Sequence, residues 1–409
     1  MSALRPVFSL IAAVWFLQLS GGLLGVVTPL GLVEMDVGTF GVGVIAGLYA
    51  AGFMAGAYVS PSIIGTLGNI RIFAAAAALS AIGALIQGLW LSEYAWAFIR
   101  FVQGATFAAM FASAEAWLGR AAPVESRGSV LGTYNVAAKA ALLIAPVVFV
   151  GTSALQPQNY IWSGLFLAAA LVPICITKQQ EPLKVPVSRL PIVRMIRTSP
   201  SAVFGVFVAG VVNMGVLSLL PIYAAGISTG DTVAAAALAY AAANAGGLIS
   251  QWPAGRISDK YERRFVIAAM AASAGLASLV LAVFGSVLNL EMTMLVFFLW
   301  GAGSLSFYGV CIAHGVDRVS ETDVTAFMST LLLVWAAGSV LGPVVAGAAM
   351  RSELGPSGLF AMAAVGLFAL TTAMTIRRIG TDPVPDADQT DWQPVLPAGL
   401  PGGELDPRT

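Results

Sequence analysis

The 409 residues carry 20 Lys and Arg against 20 Asp and Glu, so the formal charge is zero; 58% of the chain is hydrophobic and only 10% is charged. A soluble domain carries roughly 25% charged residues, so this composition, with a mean hydropathy of +0.87, excludes a soluble globular protein and points to a chain that crosses a membrane many times. Zero net charge offers no electrostatic basis for nucleic-acid binding, and Cys175 and Cys311 lie in apolar runs with neither metal spacing nor a disulfide framework, so no cofactor or metal is expected.

About twenty apolar residues span a bilayer as a helix. Twelve such segments lie near 7–30, 40–60, 72–91, 95–118, 128–151, 160–177, 201–225, 232–254, 265–286, 292–314, 324–350 and 357–376. The first exceeds the roughly 7–15 residues of a signal-peptide core, so it reads as the first membrane helix. Backbone polar groups in lipid must be paired internally, which leaves helices or a closed barrel. Long runs without alternation select helices. The expected fold class is an all-α integral membrane protein with twelve transmembrane helices.

Orientation follows from Lys and Arg, which concentrate in cytoplasmic loops. With the N-terminus inside, 17 of the 20 basic residues fall in inner loops and tails; Arg100 and Lys139 lie within helices, and Arg351 falls outside. Both termini are therefore expected in the cytoplasm.

The segment Thr177–Pro200 carries five basic residues and four prolines and divides the chain into halves. The expected organisation is a six-helix bundle over 1–177, a basic cytoplasmic linker over 178–200 with a short amphipathic stretch, a second bundle over 201–378, and a disordered cytoplasmic tail over 379–409, since the tail is too polar to form a core. The halves read as a repeat. A shift of 197 residues places Gly104 on Gly301 and Pro146 on Pro343, and a shift of 193 places Arg71 on Arg264. Two parallel repeats suggest transport, with a site at the midplane between them.

The loop after the eighth helix reads GRISDKYERR, from Gly255 to Arg264. A glycine there lets helices approach closely, and an aspartate is suited to a helix N-terminus. The matching loop of the first half, SPSIIGTLGNIR from Ser60 to Arg71, has Thr66 where the aspartate would stand. Helix four contributes RFVQG, from Arg100 to Gly104. These patterns resemble the G-x-x-x-D-[RK]-x-x-x-R and R-x-x-Q-G signatures of the major facilitator superfamily. The stretches GTLGNIRIFAAAAAL, SAEAWLGRAAPVESRGSVLGTYN and QWPAGRISDKYERR narrow the resemblance to its YcaD-like branch, although Ala116 and Gly119 depart from that branch's E-S-W-L-N. The resemblance implies a major facilitator fold and transport across the bacterial inner membrane. It implies a cytoplasmic gate built from Gly255, Asp259, Arg263, Arg264, Asp317 and Arg71, in which Asp259 meets the start of helix eleven and Arg263 or Arg264 meets Asp317, Glu321 or Asp323. It also implies that helices 1, 4, 7 and 10 line a central cavity, with 2, 5, 8 and 11 beside them.

Three charges sit where apolar helices should hold none: Arg100, Glu115 and Lys139. A charge within a membrane helix is costly and usually faces a bundle interior or a water-filled path. Arg100 and Glu115 are about 22 Å apart along helix four and cannot pair. Arg100 suits an anion contact or a structural bond to neighbouring carbonyls; Glu115 suits a proton site or a tie to Arg120 or Arg127. Lys139 lies about 18 Å into helix five, near the midplane. It has no evident acidic partner and no counterpart in the repeat, where Ala336 stands. Asn135 precedes it by one turn. Polar and aromatic candidates on other helices are Gln18, Tyr49, Asn213, Tyr240, Asn244, Gln251, Trp300 and Phe307, which together suit an apolar site with a few polar anchors. His314, the only histidine, is a further proton candidate beside Lys139 and Glu115.

The expected function is secondary active transport of a small, anionic, partly apolar solute by alternating access, with proton coupling left open. Lys139 and Arg100 would hold the anion; Asn135, Asn244, Gln251, Trp300 and Phe307 would shape the rest. The alternatives are an exporter of neutral or cationic amphiphiles, and a non-transporting assembly factor or sensor. An enzyme is not expected, because no nucleotide loop, metal constellation or nucleophile–base pair stands out. The expected partners are a small-molecule substrate and the lipid bilayer, with no nucleic acid, and the working unit is a monomer.

Overall fold

The computed structural model describes residues 7–121, 127–176, 191–228 and 230–380, together with Gln389 and Trp392. Twelve helices are long and apolar enough to cross a membrane: Phe8–Glu34 (α1), Thr39–Leu67 (α2), Asn69–Leu89 (α3), Glu93–Leu118 (α4), Ser129–Phe149 (α5), Pro157–Cys175 (α6), Pro200–Ile227 (α7), Thr232–Ser258 (α8), Arg263–Phe284 (α9), Leu290–Val316 (α10), Ala326–Arg351 (α11) and Gly355–Gly380 (α12). The expected all-helical class and the twelve spans both hold. Several helices outrun the apolar segment that announced them, because a helix keeps its own backbone bonds beyond the hydrocarbon. Arg5, Lys178, Lys184, Arg189, Arg408 and the side chains of Arg120, Arg127 and Glu321 lie outside the described residues.

The two halves use one packing scheme. In the first, α1 packs on α5 and α6, α2 on α4, and α3 on α4 and α6; in the second, α7 packs on α11 and α12, α8 on α10, and α9 on α10 and α12. Across the middle, α2 meets α11, α5 meets α8 and α1 meets α7. The α2–α11 and α5–α8 contacts are the same contact with the halves exchanged, the mark of a pseudo-twofold axis. Gly104 and Gly301, the pair matched by the sequence shift, occupy equivalent crossings. A Cβ on Gly104 would overlap the Tyr49 carbonyl of α2, and one on Gly301 would overlap the Ala243 carbonyl of α8. Small residues at such crossings let backbones touch, which is how membrane helices gain packing energy without a hydrophobic drive.

Two irregularities were not evident in the apolar runs. α7 contains a π-turn at Gly210–Met214, and α10 is interrupted between Ser304 and Phe307. They meet. Asn213 donates Nδ2 to the Ser304 carbonyl at 3.1 Å and accepts from Ser304 Oγ at 2.6 Å. Ser306 bonds Ser250 Oγ at 2.7 Å and donates to the Gly247 carbonyl at 3.2 Å. Backbone groups freed by a helix break within the membrane are tolerated when neighbouring side chains satisfy them.

Within the basic linker, Ile192–Thr198 forms a short helix. Its Met195 is buried in the core of the second half, while Val193 and Ile196 are exposed. Arg194 pairs with Asp323 at 2.9 Å. At the other end of the chain, residues 379 and 380 complete α12, so the tail begins later than the sequence suggested.

Candidate functional site: a cavity between the halves

A cavity of about 180 Å³ lies between the halves, lined by residues of α1, α2, α4, α5, α7 and α8. Of the predicted binding residues, Arg100, Gln18 and Tyr240 line it; Tyr49 does too. Its wall is largely apolar, with Leu24, Leu32, Ile45, Phe107, Leu142 and Leu217. The Arg100 guanidinium lies over the Tyr49 ring, 4.4 Å from its centroid, and donates to Gln103 Oε1 at 3.2 Å. A cation over a phenol face is favourable, more so when desolvated. The R-x-x-Q-G motif thereby acquires a local reason: Arg100 reaches the cavity, Gln103 props it one turn later, and Gly104 lets α2 bring Tyr49 within reach. Among the described residues no carboxylate pairs with Arg100. Thr28, on the cavity wall, has a buried hydroxyl with no bonding partner among the described residues. The sequence gives no sign of it, because one hydroxyl in an apolar helix looks like packing.

Lys139, Asn135 and Gln251 come together elsewhere. Lys139 Nζ donates to Gln251 Oε1 at 2.9 Å, and Asn135 Nδ2 donates to the same oxygen at 3.3 Å. None of the three lines the cavity. Lys139 lies one turn from Leu142, which does, on the side toward the start of α5. The three side chains tie α5 of one half to α8 of the other.

The remaining binding candidates are placed away from the cavity. Asn213 is used up by Ser304. Asn244 turns back to donate to the Tyr240 carbonyl of its own helix at 2.9 Å. Trp300 and Phe307 are fully buried in the core of the second half, and Trp300 packs edge-on against Phe360. An aromatic stripe facing a cavity and one facing a neighbouring helix have the same spacing, so the period of the sequence could not separate them.

Glu115 is 1% exposed and lies beside the phenols of Tyr134 on α5 and Tyr308 on α10. Its surroundings therefore include both halves. Nearby, Trp335 of α11 packs against Phe53 of α2 at 6.3 Å and Tyr308 at 6.1 Å, closing an aromatic layer across the middle. His314 is buried close to Arg263, Arg264 and Arg318, which places it with that arginine cluster and away from the cavity.

Of the residues expected to build a gate, those at the start of α9 and the end of α10 form ion pairs. Arg263 pairs with Asp317 at 2.6 Å, with both side chains almost fully buried, and lies 3.6 Å from Asp259. Arg264 pairs with Glu262 at 2.6 Å and donates to the Arg377 carbonyl at 2.8 Å. Glu262 also holds Arg378 at 2.8 Å. Arg318 sits in the same cluster; burial, then Arg264 and Arg377, push its guanidinium below the usual range, with Asp317 and Glu262 acting against them. Arg71 is exposed and forms no ion pair among the described residues. Gly255 differs from its expected part in helix packing: the atoms nearest to a Cβ there all belong to the Trp392 indole.

Comparison with known proteins fits this architecture. The family model of the Major Facilitator Superfamily matches residues 10–318 and 203–401. The "Uncharacterized MFS-type transporter YcaD" of Escherichia fergusonii is 26% identical over 346 residues, covering 83% of this chain and 87% of that protein. The protein of the same description from Salmonella enteritidis is 24% identical over 387 residues, 94% of this chain and 98% of its own. Among solved structures, the nucleoside transporter NupG superposes with a TM-score of 0.74 at 10% identity, over 91% of this chain and 98% of that one. A D-xylose-proton symporter superposes with a TM-score of 0.70 at 12% identity, over 90% and 96%. With a repeated six-helix scheme, the gate motif and matches over most of the chain, this protein belongs to the major facilitator superfamily of membrane transporters, in its YcaD-like branch.

Proposed function

We propose that this transporter carries a small organic anion with a partly apolar body, and that the Arg100 cavity is its binding site. The observation that carries the reading is Arg100 itself: a guanidinium inside a cavity between the halves, held by Tyr49 and Gln103 and facing a mostly apolar wall. A buried charge with no counter-ion is expensive, and an anionic solute would supply one. Gln18, Tyr240 and Thr28 would contribute further hydrogen bonds, and Phe107 and Leu142 would receive the apolar part. Lys139, Asn135 and Gln251 would act as the floor, released when the basic end opens. Glu115 would carry the proton if transport is proton-coupled. By the distribution of Lys and Arg, the basic end faces the cytoplasm of a bacterial inner membrane, so both termini would lie there.

Thermal unfolding of the purified protein tests the reading. Benzoate and phenyl phosphate are compared with benzyl alcohol and benzylamine at matched concentrations. A ligand at about 100 times its Kd stabilises the folded state by about 2.7 kcal/mol. The anions are expected to stabilise the wild type and Arg100→Lys, but not Arg100→Ala. Stabilisation by benzylamine alone would favour an exporter of cationic amphiphiles. Absence of any solute flux in proteoliposomes would favour a non-transporting role.

A further inference from the structure

Three helices that wall the cavity carry a proline within the membrane: Pro29 in α1, Pro146 in α5 and Pro221 in α7. A proline has no N–H to give to the carbonyl four residues earlier, and its ring presses on that carbonyl. The carbonyls so freed belong to Gly25, Leu142 and Leu217, and all three residues line the cavity. The Leu142 carbonyl is covered: it lies so close to Gly22 of α1 that a Cβ there would overlap it. The Gly25 carbonyl has no such cover from its own helix. Thr28, which is 3% exposed and stands where its hydroxyl could turn back to Gly25, has no bonding partner among the described residues. Gly25, Thr28 and Pro29 all line the cavity, so the carbonyl between Gly25 and Pro29 opens onto it. The Tyr240 phenol marks the place. Its oxygen lies 3.0 Å from where a Cβ of Gly25 would be, and the same phenol is within electrostatic reach of Arg100.

We propose that the carried anion also bears a neutral hydrogen-bond donor, a hydroxyl or an amide N–H, and that the Gly25 carbonyl accepts from it while Arg100 holds the anionic oxygens. This rests on the Arg100 cavity being the binding site. A buried acceptor left without a donor costs more than a typical hydrogen bond returns, and backbone groups freed within a membrane helix persist where something else satisfies them. The helix withholds its own N–H from Gly25, so the solute supplies the donor. Charge decides which kind. Among the described residues, Arg100 is the one charged side chain on the wall. A carboxylate neutralises it, whereas an added ammonium would leave a positive charge without a counter-ion in an apolar cavity. The substrate class is therefore a hydroxy acid or an N-acyl acid with an apolar body, in preference to a zwitterionic amino acid.

Thermal-unfolding titrations of the full chain with acids of similar size test it: phenylacetate, mandelate, 4-hydroxyphenylacetate and phenylglycine. The first has no donor, the next two place a hydroxyl beside the carboxylate or across the ring, and the last is a zwitterion. At least one hydroxy acid should bind the wild type roughly tenfold more tightly than phenylacetate, the factor that about 1.4 kcal/mol represents. Phenylglycine should bind most weakly. Pro29→Ala returns an N–H to the Gly25 carbonyl, and alanine favours the helix, so the preference for the hydroxy acid should vanish. Pro146→Ala should keep the preference, because the Leu142 carbonyl is already covered. Hydroxy acids bound no better than phenylacetate, or a preference that survives Pro29→Ala, would overturn the assignment and leave the Arg100 site standing. Loss of the preference in both proline variants would trace it to helix bending and overturn the assignment as well. Equal stabilisation of the wild type and Arg100→Ala, or of neither, would instead remove the Arg100 site and this assignment with it.

Discussion

If Lys139 and Gln251 form the floor between α5 and α8, breaking their contact should shift the opening of that interface, and the shift should be coupled. The Lys139 Nζ–Gln251 Oε1 bond is 2.9 Å long, and a hydrogen bond to a charged group contributes about 1.5–3 kcal/mol. Taking about 2 kcal/mol, Lys139→Met should raise the opening equilibrium roughly 30-fold. Gln251→Leu should do more: it also removes the 3.3 Å acceptor of Asn135 and leaves the ammonium without the oxygen that held it. The double variant, with an apolar pair in place of a polar one, should be no worse than Gln251→Leu alone, since removing both partners is far cheaper than removing one. Amide exchange over residues 129–142 and 247–258, in lipid nanodiscs, reads the opening, and the four proteins close a double-mutant cycle. The expected coupling is about 2 kcal/mol, within the range for contacting residues. An additive cycle, in which the double variant opens by the product of the two single effects, would refute the bridge.

Other consequences follow from the same contacts. In a solute-uptake assay, Arg100→Lys should keep the charge but lose part of its stacking on Tyr49, raising the apparent half-saturation concentration by roughly tenfold for a cost of about 1.4 kcal/mol; equal affinity for Arg100→Lys and Arg100→Ala would remove Arg100 from the site. Glu115→Gln should leave solute exchange across the membrane intact while abolishing its response to an imposed proton gradient, measured in proteoliposomes; an unaltered response would exclude Glu115 as the carrier. Gly104→Val and Gly301→Val should each cost about 1–3 kcal/mol by overpacking, seen as a lower unfolding temperature, because both crossings put a carbonyl where the side chain must go. Asp317→Asn should cost about 3 kcal/mol or more, since it takes the counter-charge from a buried arginine, whereas Arg263→Met combined with Asp317→Leu should recover much of the loss.

Much of the architecture was legible in the residues. Twelve apolar runs became twelve helices because a helix is the one open-ended structure that pairs its own backbone in lipid. The match of Gly104 to Gly301 marked a crossing used twice, because only the smallest residue permits that approach. Arg100 stands out in the sequence because a charge in such a helix has to be put to use, and it lines the cavity between the halves. Lys139, Asn135 and Gln251 were each noticed, but nothing in the sequence joined them: the lysine and the glutamine lie in different halves, 112 residues apart. Asn213 drew attention for its polarity, and its reason turned out to be a π-turn facing a helix break, which hydropathy does not report. Nothing in the sequence singles out Trp392, because its neighbours are polar and its partner, Asp259, is remote.

The sequence by itself determined the class, the number of spans, the repeat and the superfamily motif from Gly255 to Arg264. These depend on hydropathy and on residue identity at short spacing, and the hydrocarbon reads both directly. Only the tertiary structure decided which polar side chains meet. It sent Arg100, Gln18, Tyr49 and Tyr240 to one cavity, Lys139 to a bridge with Gln251, Asn213 to a helix break and Trp392 to the end of α8. In a membrane bundle every face of a helix is apolar, so periodicity cannot say which face looks inward; the rotation of each helix is set by its neighbours, and that information exists only once the helices have packed.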